Sequence, residues 1–115
     1  MEPLRVEKPW GNYKIVYRDH GFQVKRIEVN PACRISLQKH AKRSERWTIV
    51  KGEGTVVLND KEIKVKAGSL VEVPLGTVHR ITNTSDTQLI FIEVMMGDYL
   101  GENDVTRLQD DYNRT

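Results

Sequence analysis

The sequence predicts a small all-β domain, a sandwich or a closed barrel, and three observations carry that prediction. Short runs rich in β-branched and aromatic residues recur along the chain. Turn-forming residues separate them at close intervals, and no helical period is sustained before the tail. About nine such strands within 115 residues must stack or roll up to cover one face each. A folded chain of this size hides roughly two-thirds of its unfolded surface, enough for one core in one domain spanning residues 1–115.

Taken in order, the expected strands are 12–17, 22–29, 34–40, 46–50, 55–58, 62–66, 70–73, 79–82 and 88–95. Asp19-His20-Gly21 closes the first and Asn30-Pro31 the second. Gly52-Glu53-Gly54, Asn59-Asp60 and Ala67-Gly68 punctuate the middle, and Pro74-Leu75-Gly76 and Asn83-Thr84-Ser85-Asp86 the last part. These residue types accept positive φ, fix φ, or bond their own backbone. The run Lys61-Glu62-Ile63-Lys64-Val65-Lys66 alternates strictly, the pattern of a strand with one wet face. The tail from 101 to 112 reads as helical or irregular.

Composition sets limits on function. Eighteen Lys and Arg against sixteen Asp and Glu leave a net charge of +2, which gives no general case for nucleic acid. Single cations can still serve a small anion. The one thiol, Cys33, has no internal disulfide partner, which suits a reducing compartment. The longest apolar run, 89–96, is broken by Glu93, far short of the roughly 18 residues that cross a bilayer. The N-terminus has no apolar central stretch of the kind signal peptides carry. The expectation is a cytoplasmic protein with no membrane and no nucleic-acid partner.

The residues able to bind metal are few: His20, His40 and His79 are the only imidazoles. On an extended strand, residues two apart face the same side, so Gln38 and His40 point together. Glu45 follows on the next strand, and His79 comes 34 residues later, just past the Pro74-Leu75-Gly76 turn. Two imidazoles, a carboxylate and an amide oxygen make a mixed nitrogen–oxygen set suited to a borderline divalent ion. An ordinary set of polar strand residues is the competing reading. His20, beside Gly21 in a turn, reads as solvated, and Cys33 as an inert packed thiol.

These positions resemble a known pattern. Gly68, Pro74-Leu75-Gly76, His79 and Asn83 stand where the second cupin motif has its anchors. Gln38-Lys39-His40, Glu45 and Gly52 resemble the first motif, with Gln38 in place of its first His and Ala32 in place of its opening Gly. Gln-x-His is typical of the phosphomannose isomerase branch. Lys8-Pro9-Trp10-Gly11-Asn12-Tyr13, Phe22-Gln23-Val24-Lys25-Arg26-Ile27, Arg34-Ile35-Ser36-Leu37-Gln38 and Tyr99-Leu100-Gly101-Glu102-Asn103-Asp104-Val105-Thr106-Arg107 are similar to the isomerase domain of type II mannose-6-phosphate isomerases. The likeness runs from about Lys8 to Arg114. In that family the domain usually follows a sugar-nucleotide pyrophosphorylase. These 115 residues carry no Gly-rich nucleotide-binding start, so nucleotidyl transfer is not expected of them.

The resemblance implies an all-β cupin fold, a double-stranded β-helix or jelly-roll barrel, with a short C-terminal extension. It implies isomerisation of a phosphorylated sugar, mannose 6-phosphate and fructose 6-phosphate leading. Gln38, His40, Glu45 and His79 would hold a divalent ion, zinc first, with manganese, iron and nickel also accommodated. Arg107 would be a catalytic arginine, a surface salt bridge being the alternative. Glu102 and Asp104 are candidate general bases if the tail folds over the barrel mouth, and a metal-bound water is another. If 34–40 is one unbroken strand, Arg34 shares the ligand face and would grip a phosphate or pair with a protein carboxylate. Lys25, in phase with Ile27 and Val29, is a second phosphate candidate. Trp47 and Ile49 would line the cavity, Trp10 would pack the barrel end, and Lys39 would face solvent.

Family members carry other residues at Ala41, Lys42, Arg46 and Asn103, which places substrate choice at a changed pocket rim. A non-catalytic cupin that binds a sugar or anion and an iron-dependent oxygenase are the other function classes. A homodimer formed through edge strands is the expected assembly.

Overall fold

In the computed structural model, which describes residues 4–113, the period-two runs form eleven strands with no helix among the described residues. They are β1 (Leu4–Lys8), β2 (Gly11–Asp19), β3 (Phe22–Val29), β4 (Leu37–Lys39), β5 (Arg43–Lys51), β6 (Glu53–Leu58), β7 (Lys61–Lys66), β8 (Leu70–Val73), β9 (His79–Asn83), β10 (Leu89–Gly97) and β11 (Thr106–Gln109). The leading residues Met1 to Pro3, and Arg114 at the end of the resemblance, lie outside the described residues. One sheet has the order β1-β2-β3-β10-β5-β8 and the other β11-β4-β9-β6-β7, with every pairing antiparallel. Their apolar faces meet in a double-stranded β-helix, the all-β jelly-roll barrel that the motifs imply.

The strand register explains why the barrel is greasy at one end and polar at the other. In β5 the inward positions are Arg43, Glu45, Trp47 and Ile49; in β10 they are Leu89, Phe91, Glu93 and Met95; in β3 they are Gln23, Lys25, Ile27 and Val29, all buried. Glu93 pairs with Lys25 on one side and Trp47 on the other, so polar inward side chains begin at this level in β3 and β10 and one step further along in β5, at Glu45. Below it, Trp47 and Phe91 pack ring to ring at 4.7 Å, with Ile49, Val56 and Ile81 closed off from water. Above it, the inward side chains of β3 and β5 are Gln23, Lys25, Arg43 and Glu45, with Met95 the apolar exception on β10.

Two turns fix the ends of the site strands. Gly76 adopts φ +75°, which strains any residue with a Cβ, and its amide donates to the His40 carbonyl at 2.9 Å. Asn83, 1% exposed, donates to the carbonyls of Val29 and Thr87 and accepts from the Ser85 amide. Its place in the motif is therefore that of a staple.

Three expectations need correction. The segment 34–40 is not one strand: β4 begins at Leu37, and Arg34 makes only an isolated bridge to Thr82. Ile35 and Ser36 are both buried although adjacent, which a regular strand cannot do when only one face is covered, so alternation fails across them. The tail is not helical: Thr106–Gln109 pairs with β4, Arg107 opposite Gln38. Four residues are too few to show a period, and the pairing is tertiary. Finally, Leu4–Lys8 adds an edge strand, β1, that its alternating charges concealed.

Candidate metal centre

Four elements converge at the polar end. β4 carries Gln38, His40 lies just past it, β5 brings Glu45, and β9 opens with His79. Gln38 is flanked in the sheet by His79 and Arg107. His40, Glu45 and His79 are 4%, 2% and 1% exposed, and each offers one ligand atom within 4.8 Å of the others. The two imidazole rings lie 5.0 Å apart between centroids, and the Gln38 side chain lines the same cavity.

The hydrogen bonds around these rings decide which nitrogen faces inward. Nδ1 of His40 lies 2.6 Å from the Asp104 carbonyl, and Nδ1 of His79 lies 2.9 Å from the Thr77 carbonyl. A carbonyl only accepts, so both Nδ1 atoms carry the proton and donate it. That turns both Nε2 atoms toward Glu45, at 3.2 Å from Oε2 for His40 and 3.9 Å from Oε1 for His79. Nδ1 bonded outward and Nε2 aimed at a shared point is the arrangement a divalent ion requires. Two nitrogens, one carboxylate and one amide fit a borderline ion.

Glu45 is fixed from both sides. Trp47 Nε1 donates to Oε1 at 3.0 Å and Arg43 Nε donates to Oε2 at 2.9 Å. Burial works against its charge, but the Arg43 guanidinium, together with the two imidazoles whenever they are protonated, holds its carboxyl well below the usual range. Burial depresses the basicity of His79, with Glu45 opposing, which favours the neutral ring a ligand needs.

Above this centre lies a second group that the sequence only partly disclosed. Lys25, 3% exposed, meets Glu102 Oε2 at 2.8 Å and sits 4.0 Å over the Tyr13 ring. The Tyr13 hydroxyl donates to Glu102 Oε1 at 3.2 Å, and Arg43 lies 3.9 Å from the same carboxylate. Burial raises the Glu102 carboxyl, yet Lys25, Arg43 and Tyr13 outweigh it and keep it charged below the ordinary range. Burial pushes the Tyr13 phenol up to about 12, with Glu102 adding to the shift. Glu93 is raised well above the ordinary carboxylate range by burial and then by Glu45.

Arg43, Tyr13 and Glu93 escaped the motif reading. The signal was present for two of them. Arg43 shares the phase of Glu45, and Glu93 is the one charge interrupting the run 89–96.

The other expected residues divide. Lys25, Glu102 and Arg107 line the cavity, as does Trp47. Trp10 also lines it rather than simply closing the barrel end, whereas Ile49 is packed below it. Arg34 stands outside, its guanidinium bidentate on Asp111 at 2.7 and 2.8 Å, half exposed to water. The break at Ile35 and Ser36 put it there, and a protein carboxylate is its partner. Asp104 does not offer its carboxylate to the cavity. Its oxygens accept from the amides of Ala41 and Lys42 at 3.0 and 2.9 Å, and its backbone carbonyl orients His40.

The altered rim is also relocated. Arg46 faces out of the barrel and pairs with Glu72, and Ala41 and Lys42 are exposed. Asn103 accepts a hydrogen bond from the Tyr99 hydroxyl. None of the four lines the cavity. Lys39 is exposed, His20 is exposed in its turn, and Cys33 packs half-buried against the core.

A double-stranded β-helix with an inward His/Glu/His set at its polar mouth is a cupin. The solved structures agree on the fold. A double-stranded β-helix protein of Klebsiella pneumoniae superposes with TM-score 0.73 at 21% identity, covering 92% of this chain and 84% of that one. The capsular polysaccharide assembling protein CapF of Staphylococcus aureus gives 0.78 at 21%, over 95% and 32%. Within the cupins, residues 2–110 match the family described as Mannose-6-phosphate isomerase C-terminal, and the chain belongs to it.

Its relatives include the alginate biosynthesis protein AlgA of Pseudomonas aeruginosa, 43% identical over 110 residues, 96% of this chain and 23% of that protein. The xanthan biosynthesis protein XanB of Xanthomonas campestris is 40% identical over 111 residues, 96% and 24%. A mannose-1-phosphate guanylyltransferase of Klebsiella pneumoniae is 35% identical over 109 residues, 95% and 23%. This chain spans about a quarter of the length of those relatives.

Proposed function

We propose that this protein interconverts the aldose and ketose forms of a phosphorylated hexose, mannose 6-phosphate and fructose 6-phosphate being the leading pair. The observation that carries the reading is the meeting, in one cavity of a mannose-6-phosphate isomerase family chain, of the His40/Glu45/His79 set with Lys25, Arg107 and Glu102. Gln38, His40, Glu45 and His79 would hold a divalent ion, zinc first, which when bound supplies Lewis-acid polarisation of a carbonyl oxygen.

The chain's own groups supply the proton chemistry. Glu102 is charged and half-exposed, reaching in from the tail. It takes the proton from C2 of the aldose, the C–H electrons forming the C1–C2 double bond, and returns it to C1. The O2 hydroxyl gives up its proton and becomes the carbonyl as O1 becomes the hydroxyl. Arg107, on the cavity wall, faces the charge that develops on oxygen. Lys25 is the cation for the phosphate, Arg34 being engaged with Asp111 outside the cavity.

The test is proton NMR in deuterium oxide with mannose 6-phosphate and protein loaded separately with zinc, manganese or cobalt, under nitrogen. Fructose 6-phosphate appearing together with deuterium at the exchanging carbon is the expected result. Phosphate-sugar binding without exchange for any metal would replace the isomerase by a binding module. Activity found only with the iron-loaded protein in air would favour an oxygenase.

A further inference from the structure

A sheet with one wet face turns its polar residues outward. The five-stranded sheet does so: Lys64, Thr55 and Thr82 lie side by side across β7, β6 and β9, none of them buried. In the six-stranded sheet β10 reverses the pattern. Its single charge, Glu93, is buried, while Ile90, Ile92, Val94 and Met96 face away from the core.

The neighbouring strands widen that stripe. Met96 stands beside Phe22 and Val94 beside Val24, and Tyr17 stacks on Phe22 with ring centroids 5.7 Å apart. On the other flank, Thr48 lies between Ile92 and Leu70. Leu70 is 79% exposed, Tyr17 49%, and Phe22 and Met96 37% each. The two arginines on this face are matched within the chain, Arg26 by Glu28 at 3.0 Å and Arg46 by Glu72 at 3.3 Å.

Size and charge identify what covers it. With β10 nine residues long, the face from β2 to β8 spans about 30 Å by 20 Å, roughly 600 Å² in projection. Together with its rim, that reaches the roughly 800 Å² per partner of a standard specific interface. An anionic lipid surface or a polyanion needs cations to spare, and Arg26 and Arg46 are both neutralised. An apolar centre inside a charge-balanced rim complements itself, as two-fold pairing requires. The sheet edges offer less. β1 carries Arg5 and Glu7, β7 carries Lys61, Lys64 and Lys66, and β8 and β11 have four residues each, all features that discourage strand addition.

We propose that the outer face of the six-stranded sheet is the contact between two copies of this chain, packed sheet to sheet about a two-fold axis that crosses β10 near Ile92 and Val94. The cavity lies behind the opposite face of the same sheet, so this assembly does not depend on the isomerase reading.

Sedimentation equilibrium of the full chain measures the assembly, and the parent sediments at twice the chain mass. Ile92→Arg sets two like charges against each other at the axis and raises the dimer dissociation constant about thirtyfold or more. The variant still melts cooperatively, and its Tm loses the rise with protein concentration that the parent shows. Cysteine pairing reads the same contact without a new charge. In a Cys33→Ser background, Ile92→Cys and Val94→Cys, each next to its own copy, oxidise to a disulfide-linked dimer. Arg5→Cys and Lys64→Cys, on the edges, do not.

A monomeric parent overturns the proposal, as does a dimer that Ile92→Arg leaves intact. Cross-linking at Arg5→Cys or Lys64→Cys in place of the β10 positions overturns it in favour of an edge. A monomer that floats with phosphatidylglycerol vesicles overturns it in favour of a lipid surface.

Discussion

The backbone carbonyl of Asp104 accepts the Nδ1 proton of His40 at 2.6 Å, while the carboxylate of the same residue accepts from the Ala41 and Lys42 amides. One tail residue thus sets the direction of a metal-facing ring and pins the loop that follows it. Loss of such outer partners costs metal sites about 10–100-fold in affinity. Asp104→Ala is expected to weaken zinc binding by about tenfold, since its carbonyl remains but its anchorage goes. Competition against a chelator dye measures this, and parental affinity would show that the clamp is dispensable.

Glu45→Gln should lose metal on dialysis, as read by elemental analysis. It also strips Arg43 of its buried counter-charge, and breaking a buried pair costs about 3–5 kcal/mol. A lower Tm is therefore expected with or without metal. Retention of stoichiometric metal would remove Glu45 from the ligand set.

The links among Tyr13, Lys25 and Glu102 make stability depend on pH at both ends of the scale. The folded phenol titrates near 12 instead of 10, so its contribution is complete below pH 10 and fades as pH climbs toward 12, the unfolded chain losing its proton first. Glu102 behaves oppositely. Its folded carboxyl is held below the ordinary value, so its contribution is complete above that value and is lost as pH falls. Tyr13→Phe should flatten the alkaline fall in Tm and raise the acid limb of the kcat/KM profile. Superimposable profiles for variant and parent would mean the hydroxyl does not act on Glu102.

Much of this was legible before any coordinates. Phe22–Val29 and Leu70–Val73 are the strands their alternation predicts, and His40, Glu45 and His79 converge as their motif spacing requires. Alternation misled only where the backbone breaks. Across Ile35 and Ser36 two neighbours turn inward together, and the error moved Arg34 from the surface into the site. Arg43 was hidden for the converse reason: a charged residue after Ala41-Lys42 reads as loop until its strand pairing shows it facing Glu45. The tail was opaque because β11 is held by β4 and by Arg80, whose guanidinium donates to Gln109, and neither contact is local in sequence.

Arg46 points away from the cavity and pairs with Glu72 where both are two-thirds exposed. Exposed pairs of this kind contribute about 0–1 kcal/mol. Arg46→His is expected to leave metal content, turnover and Tm within error of the parent. A change in turnover would restore this position to the site and reopen the question of a rim.

Arg107→Ala and Lys25→Met test the two cations of the cavity against each other. Arg107 lies beside Gln38 in the sheet and is assigned to the developing oxyanion, so its loss should lower kcat by about 10²-fold or more with metal retained. Lys25 is assigned to the phosphate, so its loss should raise KM for the sugar phosphate and weaken inorganic phosphate, and, because Lys25 also holds Glu102 charged, move the acid limb of the kcat/KM profile to higher pH. Arg34→Ala serves as the outer reference: its fork is spent on Asp111, so phosphate affinity should not change. Should Arg34→Ala weaken phosphate while Lys25→Met does not, the anion enters from the outer face and the roles of the two cations are exchanged.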